Sequence, residues 1–366
     1  MHSSLSPPRN PDATSRQTYR PSGPDTGFAF IVSSGKEVTR RGWGGAAVRD
    51  PVSIPVAEDT LFDLASLTKP LCTALLALLA AEKGVLDLRT PIPACSPGCT
   101  PLDLLRHTGR FPPWIPLYAQ GIHPSEVLDW LTRECPRAPG PSMPVYSCMG
   151  YILLGLLLER RAGRSLDALF REWVLEEAGI DPTEALFAPP LRFKEKTAAT
   201  ELRGDHEAEM ARQLHFKPLG TPKGGLWGVV HDGNARFMNG IAGNAGLFCT
   251  AEAAFRLARL YDPEAGFLSE DSLRLAWTER ACGSGDCRTA GWRCAESAGW
   301  PSGAALGRGC IGHEGFTGTG VWLEPTHPAT VHVLLTNRIH PVHPGTDYSG
   351  ERAAFLNWSS ERVHDR

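Results

Sequence analysis

The stretch LFDLASLTKPLCTALLALLAAEKG, residues 61–84, places Ser66 and Lys69 at the start of an apolar helix. From Thr68 onward the leucines recur at helical spacing, and Gly84 predicts the end of the helix. Ser66 and Lys69 are three residues apart, so they share a helix face and their side chains can meet. Ser66 is predicted at the helix N-terminus, where free N–H groups and the positive end of the dipole favour negative charge.

A serine hydroxyl becomes a strong nucleophile when a base takes its proton. Lys69 can act as that base only in its neutral form, and the ordinary lysine pKa is about 10.4. Burial or a neighbouring cation must therefore lower the pKa of Lys69, and the apolar helix behind it supplies burial. Because Ser-x-x-Lys occurs often by chance, the assignment depends on partners elsewhere in the chain.

Length and composition favour an ordinary globular protein. The 366 residues are enough for a large core and two subdomains. With 42% hydrophobic residues, 21% charged residues and a net charge of −3, the chain gives no support to a nucleic-acid or membrane partner. The apolar run Leu71–Ala81 is too short to span a membrane.

The first 24 residues hold five prolines among polar residues, which predicts a disordered leader. They lack the apolar centre of a secretory signal, so we expect a cytoplasmic protein. The ten cysteines are then expected to be reduced and packed as small apolar groups. Their spacing matches no zinc motif, and we expect neither a metal nor a cofactor.

Strand patterns lie at both ends of the chain. Residues 27–33 and 36–48 predict a hairpin, and strands dominate again after Ala290, with a closing helix at 351–358. The span 100–179 is nearly all helical, and 180–225 is predicted to be an irregular surface loop. This order implies an α+β fold, an α/β sandwich with one antiparallel sheet from both termini, flanking helices and an inserted helical subdomain. The predicted domains are a leader at 1–24, a discontinuous sheet subdomain at 25–99 and 226–366, and a mostly helical subdomain at 100–225.

Two later motifs offer partners for Ser66. Tyr146-Ser147-Cys148 begins a predicted helix, and Tyr146 can act as a general acid or base if a cation lowers its pKa. His313 lies on a predicted strand with Glu314 and Gly315.

A histidine on this strand can supply charge or a hydrogen bond, and Gly315 allows close approach of a substrate or another backbone. The N–H of Phe316 and that of Ser66 can form a two-donor oxyanion hole. An aromatic loop (Phe111, Trp114 and Tyr118) either lines the rim of a cleft or pins the loop to its own core.

In order and rough spacing, the three motifs resemble those of the serine β-lactamase and penicillin-binding-protein superfamily. The sequence is most similar to the class C β-lactamase-related branch, which includes esterases and D-amino-acid-specific peptidases. The resemblance runs from Gly27 to Arg338 and implies a β-lactamase/transpeptidase-like fold. It rests on the segments Phe62–Lys69, Leu104–Thr108, Gly243–Phe248 and Gly312–Gly318.

The resemblance also implies a role for each motif residue. Ser66 forms an acyl-enzyme, and Lys69 either accepts its proton or holds the charge that lets Tyr146 do so. Tyr146 passes a proton to the leaving group. His313 occupies the family's lysine or histidine position, and the N–H groups of Ser66 and Phe316 hold the oxyanion.

Two positions depart from the family pattern. Cys148, a weak donor and acceptor, stands where the family usually has Asn or Asp. Glu314 stands where a Thr or Ser hydroxyl often helps hold a substrate carboxylate, and its own carboxylate repels such a group if it faces the cleft.

We therefore expect a serine hydrolase, an esterase or β-lactamase-like enzyme, whose partner is a small ester or amide substrate. The alternatives are a D-stereospecific peptidase or carboxypeptidase, and a catalytically weak homologue that binds a ligand in the same cleft.

Overall fold

The computed structural model describes residues 19–21, 26–95, 98–140, 142–201, 203–302, 305–337 and 348–361. In chain order the strands are β1 Phe28–Ser34, β2 Glu37–Gly44, β3 Ala46–Val48, β4 Ile54–Pro55, β5 Phe62–Asp63, β6 Ala185–Phe187, β7 Leu247–Cys249, β8 Ala281–Gly283, β9 Asp286–Arg288, β10 Arg293–Cys294, β11 Ile311–Glu314, β12 Gly320–Glu324 and β13 Thr330–Thr336.

Eight of these strands form one antiparallel sheet in the order β2-β1-β13-β12-β11-β10-β9-β8. The first strand pairs with the last, so the predicted sheet built from both termini is confirmed. Two small sheets, β5-β7-β6 and β3-β4, lie outside it.

The α-helices, also in chain order, are α1 Leu75–Glu82, α2 Pro101–Leu105, α3 Val127–Arg133, α4 Cys148–Ala162, α5 Leu166–Phe170, α6 Asp205–Gln213, α7 Gly233–Phe237, α8 Ala251–Arg259, α9 Glu270–Trp277 and α10 Tyr348–Ser360. Successive side chains of β1 point to opposite faces of the sheet, and both faces are covered. Ala29 and Ile31 belong to the large core that includes α8, whereas Phe30 packs against Phe355 of α10. The large sheet is therefore buried between helices on both sides.

The helix that follows Ser66 is irregular at its start. A 3-10 turn at Ala65–Leu67 and a π-helical segment at Lys69–Ala74 precede α1. By length and composition alone, the whole stretch Ala65–Glu82 is long and apolar enough to cross a membrane. It is longer than the run Leu71–Ala81 that was considered from the sequence. However, 83% of it is buried inside the protein, as in a core helix.

The segment 180–225, predicted to be an irregular loop, contains β6, a 3-10 helix at Leu191–Lys196 and α6. β6 pairs with the distant strand β7, a partner that the local pattern does not reveal. α6 begins after Gly204, whose φ of 69° is in the left-handed region, and carries acidic residues in its first turn.

Two further expectations are corrected. Most of the predicted leader lies outside the described residues, but within 19–21 Tyr19 is buried, and its hydroxyl donates to the backbone oxygen of Glu351 at 3.0 Å. Cys282 and Cys287 face each other across the β8–β9 pair and form a disulfide, so the expectation that all ten cysteines are reduced is wrong for this pair.

Candidate active site

The turn before Ser66 is held by hydrogen bonds from distant elements. Ala65 has a φ of 46°, a left-handed conformation that is uncommon for a residue with a Cβ. The buried carboxylate of Asp63 accepts from the N–H groups of Ala65 at 2.9 Å and His231 at 2.7 Å. Thr317 donates to the Asp63 carbonyl at 2.7 Å. These contacts fix the direction in which Ser66 points.

Ser66, Lys69 and Tyr146 meet in one cluster. The Lys69 ammonium nitrogen lies 3.0 Å from Ser66 Oγ, and the Tyr146 hydroxyl lies 2.8 Å from the same oxygen. Lys69 also donates to the backbone oxygen of Asn244 at 3.0 Å and contacts Cys148 Sγ at 3.5 Å. Both groups proposed to take the Ser66 proton are therefore within reach of it.

The pKa shifts of Lys69 and Tyr146 decide their resting charges. Burial lowers the pKa of Lys69, but interactions with Cys148 and Tyr146 outweigh it, so the net pKa is raised. Burial raises the pKa of Tyr146 more than Lys69 lowers it. These directions favour an ammonium on Lys69 and a neutral phenol on Tyr146 at rest, and they do not supply the lowered pKa that Lys69 needs to serve as the base.

Cys148 and its neighbour are anchored at the start of α4. Ser147 caps this helix by accepting from the N–H of Gly150 at 3.2 Å, and its own N–H donates to His107 Nδ1 at 3.0 Å. The His107 ring lies 4.8 Å from the Tyr146 ring. The Cys148 side chain is half-buried beside Lys69, in the position that the motif predicts.

His313 is only 4% exposed and lies on β11. Its Nδ1 is 3.1 Å from the Glu314 carbonyl, and Nε2 has no hydrogen-bond partner among the residues that the structure describes. Burial and the nearby Arg288 and Lys69 charges lower the pKa of His313 well below its usual value. The ring is therefore neutral. The sequence allowed His313 to supply either charge or a hydrogen bond, and the geometry supports the hydrogen bond.

Gly315 allows the end of β11 to pack against the turn of Ser66. A Cβ atom at this position would lie 2.5 Å from the carbonyl oxygen of Leu64 and 2.1 Å from Thr319 Oγ1. The close approach expected at this glycine is therefore made by the protein's own backbone.

A cavity of about 300 Å³ opens on one side of Ser66, and we call it the arginine lobe. Glu314 lies inside it with its carboxylate 3.8 Å from Arg293 and 3.9 Å from Arg352. Its lining is completed by Ser66, Tyr146, Arg288, His313, Gly315 and Phe316. Because two guanidinium groups flank Glu314, its negative charge does not dominate this lobe.

A second cavity, of about 280 Å³, meets the first at Ser66, Tyr146 and Phe316, and we call it the carboxylate lobe. Its acidic residues are Glu207 and Asp232. The other lining residues are Ala65, Pro113, Trp114, Cys148, His206, Met210, His231 and Ala245. The aromatic loop has both of the roles expected for it. Trp114 lines this lobe, whereas Phe111 is buried in the core.

Apart from Glu314, the charged residues of both lobes were not found from the sequence. Arg288 and Arg293 lie on β9 and β10, which are three and two residues long, and Arg352 lies on the last helix. Glu207 lies in a segment that we predicted as loop. Only the fold brings these residues to Ser66. Among the described residues, no group of three or more His, Cys, Asp or Glu side chains is arranged to hold a metal ion.

Residues 22–354 match the Beta-lactamase family model, and the chain belongs to this family of the serine β-lactamase and penicillin-binding-protein superfamily. It is 31% identical to an Escherichia coli (strain K12) protein named "Putative D-alanyl-D-alanine carboxypeptidase", over 92% of this chain and 85% of the relative.

The fold matches a penicillin-binding protein homologue from Caulobacter crescentus with a TM-score of 0.67 and 20% identity, covering 93% of this chain and 94% of that one. It also matches EstCE1, a hydrolase with promiscuous acyltransferase activity, with a TM-score of 0.66 and 19% identity, covering 90% and 93%. The chain is a serine hydrolase of this family with the β-lactamase/transpeptidase fold.

Proposed function

We propose that the protein forms an acyl-enzyme at Ser66 and cleaves substrates whose leaving group carries a carboxylate, as a carboxypeptidase for a D-alanyl-D-alanine type of end. The observation that carries this proposal is the arginine lobe beside Ser66. The name of the Escherichia coli relative supports the same substrate class. The carboxylate of Glu314 was expected to repel a substrate carboxylate if it faced the cleft, and its ion pairs with Arg293 and Arg352 offset that repulsion.

Charge in the arginine lobe favours an anion. Among the residues that the structure describes, the guanidinium groups of Arg288, Arg293 and Arg352 face the carboxylates of Glu314 and of Asp286, which pairs with Arg288 at 2.9 Å. Arg288 donates through Nε to Asp286, and its terminal nitrogens make no hydrogen bond within the described part of the chain. A guanidinium with two such nitrogens matches a carboxylate in geometry.

In the proposed reaction Tyr146 is the base, because Lys69 stays charged. The reactive form carries a Tyr146 phenolate stabilised by the Lys69 ammonium, which lies 5.0 Å from the centroid of the Tyr146 ring. Tyr146 takes the Ser66 proton as Oγ bonds to the scissile carbonyl carbon, and it returns that proton to the leaving nitrogen as the C–N bond breaks. Water then attacks the ester, giving its proton to Tyr146, and Ser66 recovers its hydrogen. The N–H groups of Ser66 and Phe316 are assigned to the oxyanion.

A second candidate is an esterase for small neutral acyl groups. Trp114 and Met210 give the carboxylate lobe an apolar surface next to Cys148. The structural likeness to EstCE1 shows a shared fold. This candidate does not use the charge of the arginine lobe, and the two functions therefore predict different substrates.

The test compares kcat/KM for D-alanyl-D-alanine with that for D-alanyl-D-alaninamide, which differs only in the terminal charge, beside p-nitrophenyl butyrate. We expect the free carboxylate to be favoured by about 10-fold or more, and all turnover to vanish in Ser66→Ala. Equal rates for the two peptides contradict the proposal. Ester turnover without peptide turnover favours the esterase, and labelling of Ser66 by a fluorophosphonate without any turnover favours the weak, ligand-binding homologue.

A further inference from the structure

We propose that Cys95 and Cys99 form a reversible disulfide, in which Arg137 activates Cys95 to react first with a hydroperoxide. Cys99 is the thiol that then closes the disulfide bond. This modification site lies outside both lobes at Ser66, and the inference does not depend on the proposed function.

A turn of the chain brings the two thiols together. The N–H of Ile92 donates to the Cys99 carbonyl at 2.8 Å, and the N–H of Cys95 donates to the Ile92 carbonyl at 3.2 Å. The side chains of Cys95 and Cys99 are hydrogen-bonded to each other, and both are free thiols in this structure. Two thiols in contact need only a small movement to reach the S–S bond length of about 2.05 Å.

Arg137 holds a positive charge against the sulfur of Cys95. Its Nη2 donates to Cys95 Sγ at 2.7 Å, and its Nη1 donates to the Gly109 carbonyl at 2.6 Å. The guanidinium carbon also lies 3.1 Å from the centre of the Phe111 ring. These contacts fix the guanidinium in place, and a cation bonded to a cysteine sulfur favours the thiolate, which is the nucleophilic form.

The environment of the pair favours a thiolate at Cys95 and a thiol at Cys99. The hydrogen bond from Cys99 and the charge of Arg137 lower the pKa of Cys95 to about 6, against the effects of burial and of the Asp103 carboxylate. The hydrogen bond to Cys95 and burial raise the pKa of Cys99. Burial also raises the pKa of the nearby Cys135, to about 12. Within this cluster Cys95 is therefore the nucleophile.

A small oxidant can reach this pair more easily than a bulky reagent can. Cys95 is 4% exposed and Cys99 is 5% exposed. Residues 92–94, which directly precede Cys95, line a surface cavity of about 410 Å³. Hydrogen peroxide is little larger than water, so burial slows it less than it slows iodoacetamide. We therefore expect oxidation to occur first at Cys95 and alkylation to occur first at the half-buried Cys148.

The reaction balances with the hydroperoxide as the oxidant. The Cys95 thiolate attacks one peroxide oxygen, the O–O bond breaks, and the leaving hydroxide takes up a proton to become water. This step leaves a sulfenic acid on Cys95. The Cys99 sulfur then attacks Cys95 Sγ, the S–O bond breaks, and the departing hydroxide takes the Cys99 proton to form a second water. A small thiol can reduce the resulting disulfide by exchange.

The experiment treats the full-length protein with hydrogen peroxide and maps the tryptic peptide 90–106, which contains Cys95, Cys99 and no other cysteine. We expect this peptide to lose two hydrogen atoms and to regain them when a small thiol is added. In Cys99→Ser, dimedone should label the sulfenic acid trapped at Cys95, and in Cys95→Ser it should label nothing in this peptide. The control is Cys135→Ser, a buried neighbour of Arg137, which should form the disulfide at the wild-type rate.

Two variants of Arg137 test the activation of Cys95. In Arg137→Met we expect disulfide formation at pH 7 to slow by about 10-fold or more, because the thiolate loses its cation. Arg137→Lys keeps the positive charge and should recover most of the rate. A purely structural role of Arg137 would not make the oxidation rate follow the charge of the side chain.

Three outcomes would overturn the inference. Peptide 90–106 could keep both hydrogen atoms while Cys148 is oxidised. Dimedone could label Cys99 in Cys95→Ser as fast as it labels Cys95 in Cys99→Ser. Arg137→Met, with an unchanged melting temperature, could react at the wild-type rate. None of these measurements uses substrate turnover, so their results are independent of the proposed function.

Discussion

The arginine lobe and the carboxylate lobe meet at the same nucleophile but differ in how their charges are balanced. In the arginine lobe the two described carboxylates, Glu314 and Asp286, have guanidinium partners, and the terminal nitrogens of Arg288 bond to no described residue. In the carboxylate lobe the carboxylates of Glu207 and Asp232 accept hydrogen bonds from the protein but form no ion pair with any described residue. The first lobe is built on strands of the large sheet and on α10, and the second on α6 and the turn before α7. The difference indicates that the two sides of Ser66 meet chemically different parts of a substrate.

The largest expected effect belongs to Tyr146, one of the three residues that the two lobes share. Tyr146→Phe removes the hydroxyl at 2.8 Å from Ser66 but keeps the ring that packs on His107. We expect kcat/KM to fall by about 10²- to 10⁴-fold with charged and neutral substrates alike. Steady-state kinetics with D-alanyl-D-alanine and p-nitrophenyl butyrate measure this. A loss confined to one substrate would place Tyr146 in recognition rather than in proton transfer.

Arg288→Met tests the arginine lobe alone. The change keeps much of the side-chain length but removes the guanidinium, which lies 5.3 Å from the Tyr146 ring centroid. We expect kcat/KM for D-alanyl-D-alanine to fall by about 10- to 100-fold, with little change for D-alanyl-D-alaninamide. Arg308→Met, at a side chain that is 91% exposed, is the matched control and should change neither rate. An equal loss with both peptides would mean that Arg288 does not read the carboxylate.

Glu314→Gln changes the charge of the arginine lobe in the opposite direction from Arg288→Met, because it removes a negative charge. Glutamine at this position removes the carboxylate that competes with a substrate carboxylate for Arg293 and Arg352. We expect KM for D-alanyl-D-alanine to fall by about two- to fivefold at low salt, and the gain to shrink as salt is raised. A higher KM would show that Glu314 holds the two arginines in place more than it competes with the substrate.

Cys148→Asn is expected to have the smallest effect. Asparagine restores a stronger hydrogen-bonding group next to Lys69, where the thiol now lies at 3.5 Å. We expect turnover to be preserved or raised by up to about threefold. In the wild type, Cys148 should be the first cysteine that iodoacetamide modifies, because the other seven free cysteines are buried. A large loss of activity would give the thiol a role in the reaction.

The sequence predicted the centre of the site because its signals are local. Helical spacing placed Lys69 beside Ser66, and a helix start and a strand placed Tyr146 and His313. The sheet built from both termini followed from the order of strand and helix patterns.

The walls of the cleft could not be predicted in the same way. Arg288 and Arg293 lie on strands of three and two residues, too short to give a pattern of their own. Glu207 looks like a surface residue in a polar helix, and its burial depends on the contact with Gly233.

Glu314 shows why a residue type at a motif position does not fix its effect. The expected repulsion of a substrate carboxylate was argued from the charge of Glu314 alone. The environment of Glu314 is set by Arg293 of β10 and Arg352 of α10, two residues outside the motif. The expected repulsion of a substrate carboxylate depended on this residue and on the direction of its side chain. The guanidinium groups around Glu314 offset its charge, and they support the carboxylate-bearing substrate that we propose.

The most direct test of the central claim is the site of covalent modification by benzylpenicillin, an acylating agent that itself carries a carboxylate. The reaction is quenched with acid and the adduct is located by peptide mapping. We predict an adduct on the peptide that contains Ser66 in the wild type, slower formation in Arg288→Met, and no adduct in Ser66→Ala. An adduct at another residue, or one that persists in Ser66→Ala, would contradict the assignment of Ser66 as the nucleophile.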